Sequence, residues 1–437
     1  MRENALPIPI GAARLRRSFG QAFIYRGLGA LAGYLTVLLL ARFAAPQDFG
    51  WFATALAIIT LGPSVAGAGQ PMAVLRFVRR GTARTGSDDR FLRASASVNV
   101  IGAVTTGLAL AVIGELSLRL ELLSAPPGLF LWTGLAVAAL TALEWASAVL
   151  RAQGRLSEAF IPREILWRVG CLAGIIFCLS TGQGIDARLT LAMIAVSLLI
   201  CLALQWRNMH DSIPTAAASL EPGERTGFRR LGRDLWIIAM SQPLANQVGL
   251  LVLGSSLSLE SAGLFLFLDR TAQLLVFVLT SLAAIASPMM AQLRRDGDLD
   301  GLRVVFMSTC VYGGAAALGL FALLILLGPA LLSFISPAYG EAYPFLLLLA
   351  LGQVVNAATG PAAALLMVAD HEHLAMRLGL LFNGLGLVLV ASGALAFGLP
   401  GAVVASFATT AVRSTVAFAC CLHILGLRQR FSSRRDR

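Results

Sequence analysis

Lysine is absent from this 437-residue chain, so all 34 basic residues are arginine. Charge of either sign is scarce: 13% of residues are charged, against roughly 25% in soluble domains. The six cysteines (Cys171, Cys178, Cys201, Cys310, Cys420 and Cys421) all fall inside apolar runs, with no disulfide or metal spacing, and read as small core hydrophobes. Histidine is also rare. The run Asp370-His371-Glu372-His373 fans around a helix and lacks the ligand spacing of known zinc motifs. No Gly-rich phosphate loop, nucleophile elbow or paired-carboxylate constellation occurs at usable spacing. The chain therefore reads as a non-enzyme, with no catalytic residue, cofactor or metal to name.

What the chain does have is hydrophobicity: 57% of its residues are hydrophobic, and its mean hydropathy is +0.78. Apolar runs of about 20 residues recur along its length, long enough to cross a bilayer as helices. They are continuous rather than alternating, which excludes a membrane barrel. Runs are read at residues 22–44, 50–75, 94–116, 128–150, 164–182 and 187–206, then 235–256, 262–290, 303–327, 343–368, 374–397 and 400–424. This predicts an all-α integral membrane protein of about twelve transmembrane helices. Residues 1–206 form an N-terminal six-helix unit, 207–234 a polar cytoplasmic linker, and 235–437 a C-terminal six-helix unit.

The net charge of +11 would suggest nucleic acid in a soluble protein. Here the arginines alternate by loop. Connections after odd-numbered helices are arginine-poor, and those after even-numbered helices carry Arg76 to Arg93, Arg151 to Arg163, Arg207 to Arg233, Arg294 to Arg303 and Arg377. By the positive-inside rule, both termini lie in the cytoplasm, and the charge calls for no nucleic-acid partner. The first run contains Arg26 and lacks a small-residue cleavage site, so it reads as a membrane helix rather than a signal peptide.

Two echoes point to duplication. Pro46-Gln47-Asp48-Phe49-Gly50-Trp51-Phe52 joins the first two runs, and Glu260-Ser261-Ala262-Gly263-Leu264-Phe265 joins the seventh and eighth. Residues 148–155 and 364–371 end the fourth and tenth runs, at nearly the same offset of about 215 residues. Six helices per half make the repeats parallel, related by an axis along the membrane normal. Similarity between any two Leu/Ala-rich helices is the alternative explanation.

These same residues carry a family resemblance. Leu39, Ala41, Arg42 and Phe43, residues 46–52, Ala68-Gly69 and Val74-Leu75-Arg76 resemble the opening of the polysaccharide transporter (Wzx-like oligosaccharide flippase) family. That family belongs to the multidrug/oligosaccharidyl-lipid/polysaccharide exporter superfamily. Gln242-Pro243, Asn246, Leu251, Gly254, residues 260–263, Phe265, Arg270 and Pro288 are similar to its second half, and residues 334–339 with Ala342 to its loop between helices nine and ten. Many members carry an acidic or strongly polar residue in the middle of helix seven; this chain has Asn246 and Gln247 there. The resemblance implies two six-helix bundles around a central cavity. It also implies transfer of an undecaprenyl-diphosphate-linked oligosaccharide across the membrane for exopolysaccharide, capsule or O-antigen assembly, alongside a polymerase and other assembly proteins.

Intramembrane charges are costly, at least ~2.5–3.5 kcal/mol each, so each needs a reason. Arg26 and Glu144 lie at similar depth in helices one and four, placed either to pair or to face one cavity. Asp269 and Arg270 lie in helix eight and point in different directions around it, and Arg413 lies near the middle of helix twelve. The functional reading is a cationic cavity for a lipid diphosphate, with Arg26, Arg270, Arg413, Asn246 and Gln247 binding cargo, since guanidinium forks suit phosphate. Glu144 and Asp269 serve ion coupling or internal pairing; ion pairs that fix helix packing are the alternative throughout. Pro63, Pro243 and Pro361 are read as gating hinges, or else as close-packing positions. Two other functions fit the composition: a MATE-like drug/cation antiporter, favoured by the intramembrane Asp and Glu, and an integral membrane polymerase or glycosyltransferase, disfavoured by the short external loops.

Overall fold

The structure is a computed structural model that describes residues 12–77, 86–122, 124–209, 220, 222–256 and 258–426. All regular structure among them is helical, in the order α1 (Ala12–Phe43), α2 (Pro46–Ala66), α3 (Gln70–Phe77), α4 (Gly86–Arg119), α5 (Leu129–Ala152), α6 (Leu156–Phe160), a π-turn (Ile161–Leu166), α7 (Trp167–Ser180) and α8 (Ala187–Met209). The second half continues with α9 (Pro222–Ser256), α10 (Leu259–Gln273), α11 (Val276–Arg295), α12 (Leu299–Ile335), a short 3₁₀ turn (Pro337–Ala342), α13 (Tyr343–Ala358), α14 (Ala362–Val368) and α15 (Glu372–Ile424).

Nine described helices are long and apolar enough to span a bilayer. The longest, α15, makes two crossings, because Gly398 takes φ 66° and ψ −142° and breaks it. Gly393 and Gly401 then meet backbone to backbone across the turn, where a Cβ on Gly401 would run into the Gly393 carbonyl. With α6–α7 and α10–α11 counted as one interrupted crossing each, the described residues make twelve crossings in two bundles of six. Lipid-facing surfaces are apolar, as at Ile101, Leu108 and Ile113 on α4 and Val311, Leu318 and Leu326 on α12.

Several crossings are interrupted. The second breaks at Ala68 (φ 45°) and Gly69 (φ 71°), just past Pro63, which lies inside α2. The tenth breaks at Gly360 (φ 67°), with Pro361 as the N-cap of α14. Pro243, by contrast, sits inside α9 without ending it. The eighth breaks between Gln273 and Val276, where no glycine or proline marks it.

The polar linker expected at 207–234 is helical from Pro222 onward, and residues 210–219 lie outside the described set. The reason is amphipathicity. Arg225, Arg229, Arg230 and Arg233 are exposed, while Gly232 and Leu235 are buried. Phe228 packs edge-on against Phe91 at 5.4 Å, and Glu224 takes both guanidinium nitrogens of Arg90, at 2.7 and 3.1 Å.

The two echo segments pack on one another. A Cβ on Gly50 would run into the backbone carbonyl of Leu259, and one on Gly254 into Thr54. A Cβ on Gly263 would lie 2.7 Å from the Phe49 ring and 3.3 Å from the Gly50 nitrogen. At the arginine-poor end of the molecule, the halves are thus interlocked through glycines. At the arginine-rich end α9 crosses α2 and α3, with Trp236 Nε1 donating to the Val65 carbonyl at 3.0 Å.

Candidate functional site

Below the glycine interlock lies a cavity of about 860 Å³ between the halves. That is in the range of pockets that enclose a drug-sized molecule or headgroup. Its walls come from α1, α2, α7 and α8 on one side and α9, α10, α11, α13 and α15 on the other. Phe52 and Phe265, the last residues of the two echo motifs, both line it.

Three arginines and one carboxylate face this space: Arg168, Arg270, Arg413 and Asp269, an excess of two positive charges. Arg270 Nη1 donates to Gln273 Oε1 at 3.1 Å, and Gln273 Nε2 donates to Asp269 Oδ2 at 2.6 Å, so an amide separates the two charges. Arg413 Nη1 donates to Gln242 Oε1 and Asn383 Oδ1, both at 3.4 Å. Among the described residues, neither Arg270 nor Arg413 forms an ion pair. Asn246 lines the cavity and accepts from Gln242 Nε2 at 2.9 Å.

The other predicted residues lie elsewhere. Gln247 is 8% exposed, absent from the cavity lining, and its Oε1 has no partner among the described residues. A one-residue step turns a helical side chain by about 100°, so Asn246 and Gln247 cannot share the cavity face. Arg26 is outside the lining too. Its guanidinium stacks 5.7 Å from the centre of the Phe160 ring, and that of Arg151 lies 5.8 Å from the same ring. Arg26 and Glu144 do not pair: Glu144 accepts from Arg163 Nη2 at 2.7 Å. Similar depth in the membrane did not bring the two onto facing sides of their helices.

The residue that sequence reasoning missed is Arg168. It belongs to a ladder that starts at Glu144 on α5, passes through Arg163 and Glu164 on the π-turn, and ends at Arg168, whose Nη1 lies 3.3 Å from Glu164 Oε2. Arg168 also stacks over Trp167 at 4.6 Å. The ladder seats on the glycine face of α1, where a Cβ on Gly29 would strike the Glu164 carbonyl and one on Gly33 would lie 3.4 Å from Arg168 Cδ. The available signal was Pro162 followed by Arg163, Glu164 and Arg168 at near-helical spacing. π-Turns recur at functional sites because they redirect such side chains.

Elsewhere, Arg42 stands between the Phe43 and Phe334 rings and donates to the Ile335 carbonyl at 3.4 Å, tying α1 to the far half. Asp370 takes φ 64° and pairs with Arg294 at 3.2 Å.

Solved structures similar to this chain are transporters. It aligns with the inward-facing conformation of a multidrug resistance MATE family transporter of the MOP superfamily over 92% of this chain and 96% of that one, at 15% identity and a TM-score of 0.71. This is the MATE transporter fold. An outward-facing conformation of such a transporter aligns over 95% and 97%, at 14% identity and a TM-score of 0.60. A MATE transporter of Vibrio cholerae aligns over 94% and 98%, at 13% identity and a TM-score of 0.59. No family model and no curated protein matches the chain.

Proposed function

We propose that this protein is an alternating-access transporter whose cargo carries negative charge at its polar end. An undecaprenyl-diphosphate-linked oligosaccharide moved across the cytoplasmic membrane is the cargo that fits both this charge and the family resemblance. The observation that carries the reading is the cavity's charge: Arg168, Arg270 and Arg413 against Asp269 alone. Among the described residues Arg270 reaches Asp269 only through the Gln273 amide, and Arg413 has only the amides of Gln242 and Asn383, at a depth where an uncompensated charge costs at least ~2.5–3.5 kcal/mol. An anionic cargo supplies the missing partner, and guanidinium groups bind phosphate in bidentate fashion.

A second reading is a MATE-like drug/cation antiporter. The names of the structural neighbours support it more directly than they support a flippase. Asp269, a carboxylate on the cavity wall, is its natural cation ligand. A polymerase or glycosyltransferase gains nothing from neighbours that are transporters.

The inner-membrane location, cytoplasmic termini and partnership with polysaccharide-assembly proteins are part of the first reading. The test is Arg270→Ala and Arg413→Ala in cells lacking the native copy, read by the amount and sidedness of lipid-linked intermediate. Accumulation on the inner leaflet supports the anionic cargo. Normal polymer with raised drug sensitivity, reproduced by Asp269→Asn, supports the antiporter and removes the first reading.

A further inference from the structure

The cavity's two walls differ in chemistry. Every side-chain amide that lines it belongs to the C-terminal half: Gln242, Asn246, Gln273, Gln353, Asn356 and Asn383, from α9, α10, α13 and α15. The N-terminal wall has none. It offers Gly27, Leu28, Leu31, Val37, Leu56 and Ile194 among its apolar surfaces. Its hydroxyls are already engaged: Thr36 donates to the Ala32 carbonyl at 2.9 Å, Thr60 to the Leu56 carbonyl at 2.8 Å, and Tyr34 bonds Thr271 at 3.4 Å. Arg168 is the one charged group on that wall.

The amides, in contrast, keep hydrogen-bonding capacity in reserve. Asn246 accepts from Gln242, and Gln353 accepts from Asn356 Nδ2 at 3.5 Å, yet the NH₂ groups of Asn246 and Gln353 meet no acceptor among the described residues. An amide presents donors and an acceptor side by side, which matches the donor–acceptor pairs of neighbouring hydroxyls. An anion uses only the amide donors and leaves the amide oxygens unmatched, whereas a hydroxyl both donates and accepts. Unmet amide hydrogens at this depth are costly unless water or cargo meets them.

We propose that the two halves divide the recognition of cargo. The amide wall of the C-terminal half reads a polyhydroxylated headgroup, with Asn246 and Gln353 as specificity-determining residues, and the N-terminal wall holds the apolar remainder. This inference rests on the transport reading of the cavity. Arg413, held by Gln242 and Asn383, puts a cation next to the amides, the arrangement needed where a phosphate adjoins a sugar.

The test uses the full chain in lipid nanodiscs, with empty discs as reference, and three probes: farnesyl diphosphate, farnesyl-diphospho-N-acetylglucosamine and octyl glucoside. A neutral hydrogen bond is worth roughly fivefold in affinity, so two are worth roughly 25-fold. The wild type should bind the glycosylated diphosphate at least about tenfold tighter than farnesyl diphosphate. The Asn246→Ala/Gln353→Ala double variant should erase that preference, the glycosylated diphosphate losing far more affinity than farnesyl diphosphate. If the double variant fails to fold, Gln353→Ala alone should lose roughly fivefold. Equal binding of the two diphosphates by the wild type, or a preference that survives in the variants, overturns the division. Binding of octyl glucoside that depends on the two amides, with no binding of farnesyl diphosphate, upholds the division and removes the anionic reading. Failure of all three probes to bind overturns both.

Discussion

Gly50→Ala is the substitution that best separates a moving protein from a static one. Gly50 lies inside α2, past its first turn, where replacing glycine by alanine stabilises an isolated helix by about 1 kcal/mol. If nothing opposed it, the variant would melt higher than wild type. The structure opposes it: the new methyl meets the Leu259 carbonyl, its carbon and its Cβ, none of which can rotate away. Overpacking of this kind costs about 1–3 kcal/mol, and it falls only on the state in which the two halves are interlocked. The balance between states should therefore shift by roughly 5- to 150-fold toward separation at the arginine-poor end. The assay is a pulsed-dipolar distance distribution between spin labels at Gln47 and Glu260, both exposed and on opposite halves of this interlock, in a cysteine-depleted background. Wild type should give one short distance and Gly50→Ala an added longer one. Gly184→Ala, where a Cβ has nothing within 4 Å, should change nothing. An unchanged distribution together with a raised melting temperature would refute the claim that this glycine contact gates the protein.

Other expectations follow from single contacts. Arg163→Ala strands Glu144 inside the membrane and leaves Glu164 with Arg168 alone, and should lower stability by roughly 3 kcal/mol, read as a fall in melting temperature in detergent. Restoring neutrality with Glu144→Gln should recover part of that loss. Gly360→Ala combines a positive φ with a Cβ 2.5 Å from Cys310 Sγ, whereas Gly398→Ala combines φ 66° and ψ −142°, a conformation nearly confined to glycine, with open space. The second should lose roughly 1–3 kcal/mol to backbone strain alone, and the first should lose its strain plus the cost of displacing the Cys310 side chain, as measured by thermal melting. Phe160→Leu removes the ring shared by Arg26 and Arg151 and should cost about 1 kcal/mol while leaving the cavity's cargo affinity unchanged.

The crossings were legible because burial in lipid demands long apolar runs, and the turn before Pro400 was legible for the same reason. What hydropathy misread was compensated charge. The fifth crossing was read from residue 164, but it starts at Leu156, because Arg163 and Glu164 neutralise each other and Glu144 across the π-turn. Scored one at a time, these residues look like a loop. Depth was readable along each helix but direction around it was not, which is why Arg26 was matched to Glu144 and Gln247 was placed beside Asn246. Arg270 and Arg413 were recognised because a lone arginine in an apolar run stands out; Arg168, close to its partners, did not. The break between Gln273 and Val276 left no trace because its residues carry no turn chemistry.

The repeated motif has a physical reason that its sequence alone did not reveal. Gly50 and Gly263 hold the same place in the two copies, and they are neighbours in space: a Cβ on Gly263 would lie 3.3 Å from the Gly50 nitrogen. Equivalent residues of two like-oriented repeats can touch only where the axis relating them passes. At such a point each copy presents its own patch to the other, as in an isologous interface. A side chain there is met by its counterpart, so both positions favour the smallest residue. Phe52 and Phe265, two residues further on, face the cavity from both halves. The prediction is a coupling: Gly263→Ala should open the same end as Gly50→Ala. It should do so more weakly, because the ring of Phe49 can turn aside and the Leu259 backbone cannot. The double variant should exceed neither single by the sum of the two, since each relieves the clash that the other creates. Strict additivity in the same distance measurement would mean that the glycines act at separate contacts, and would remove the axis from between them.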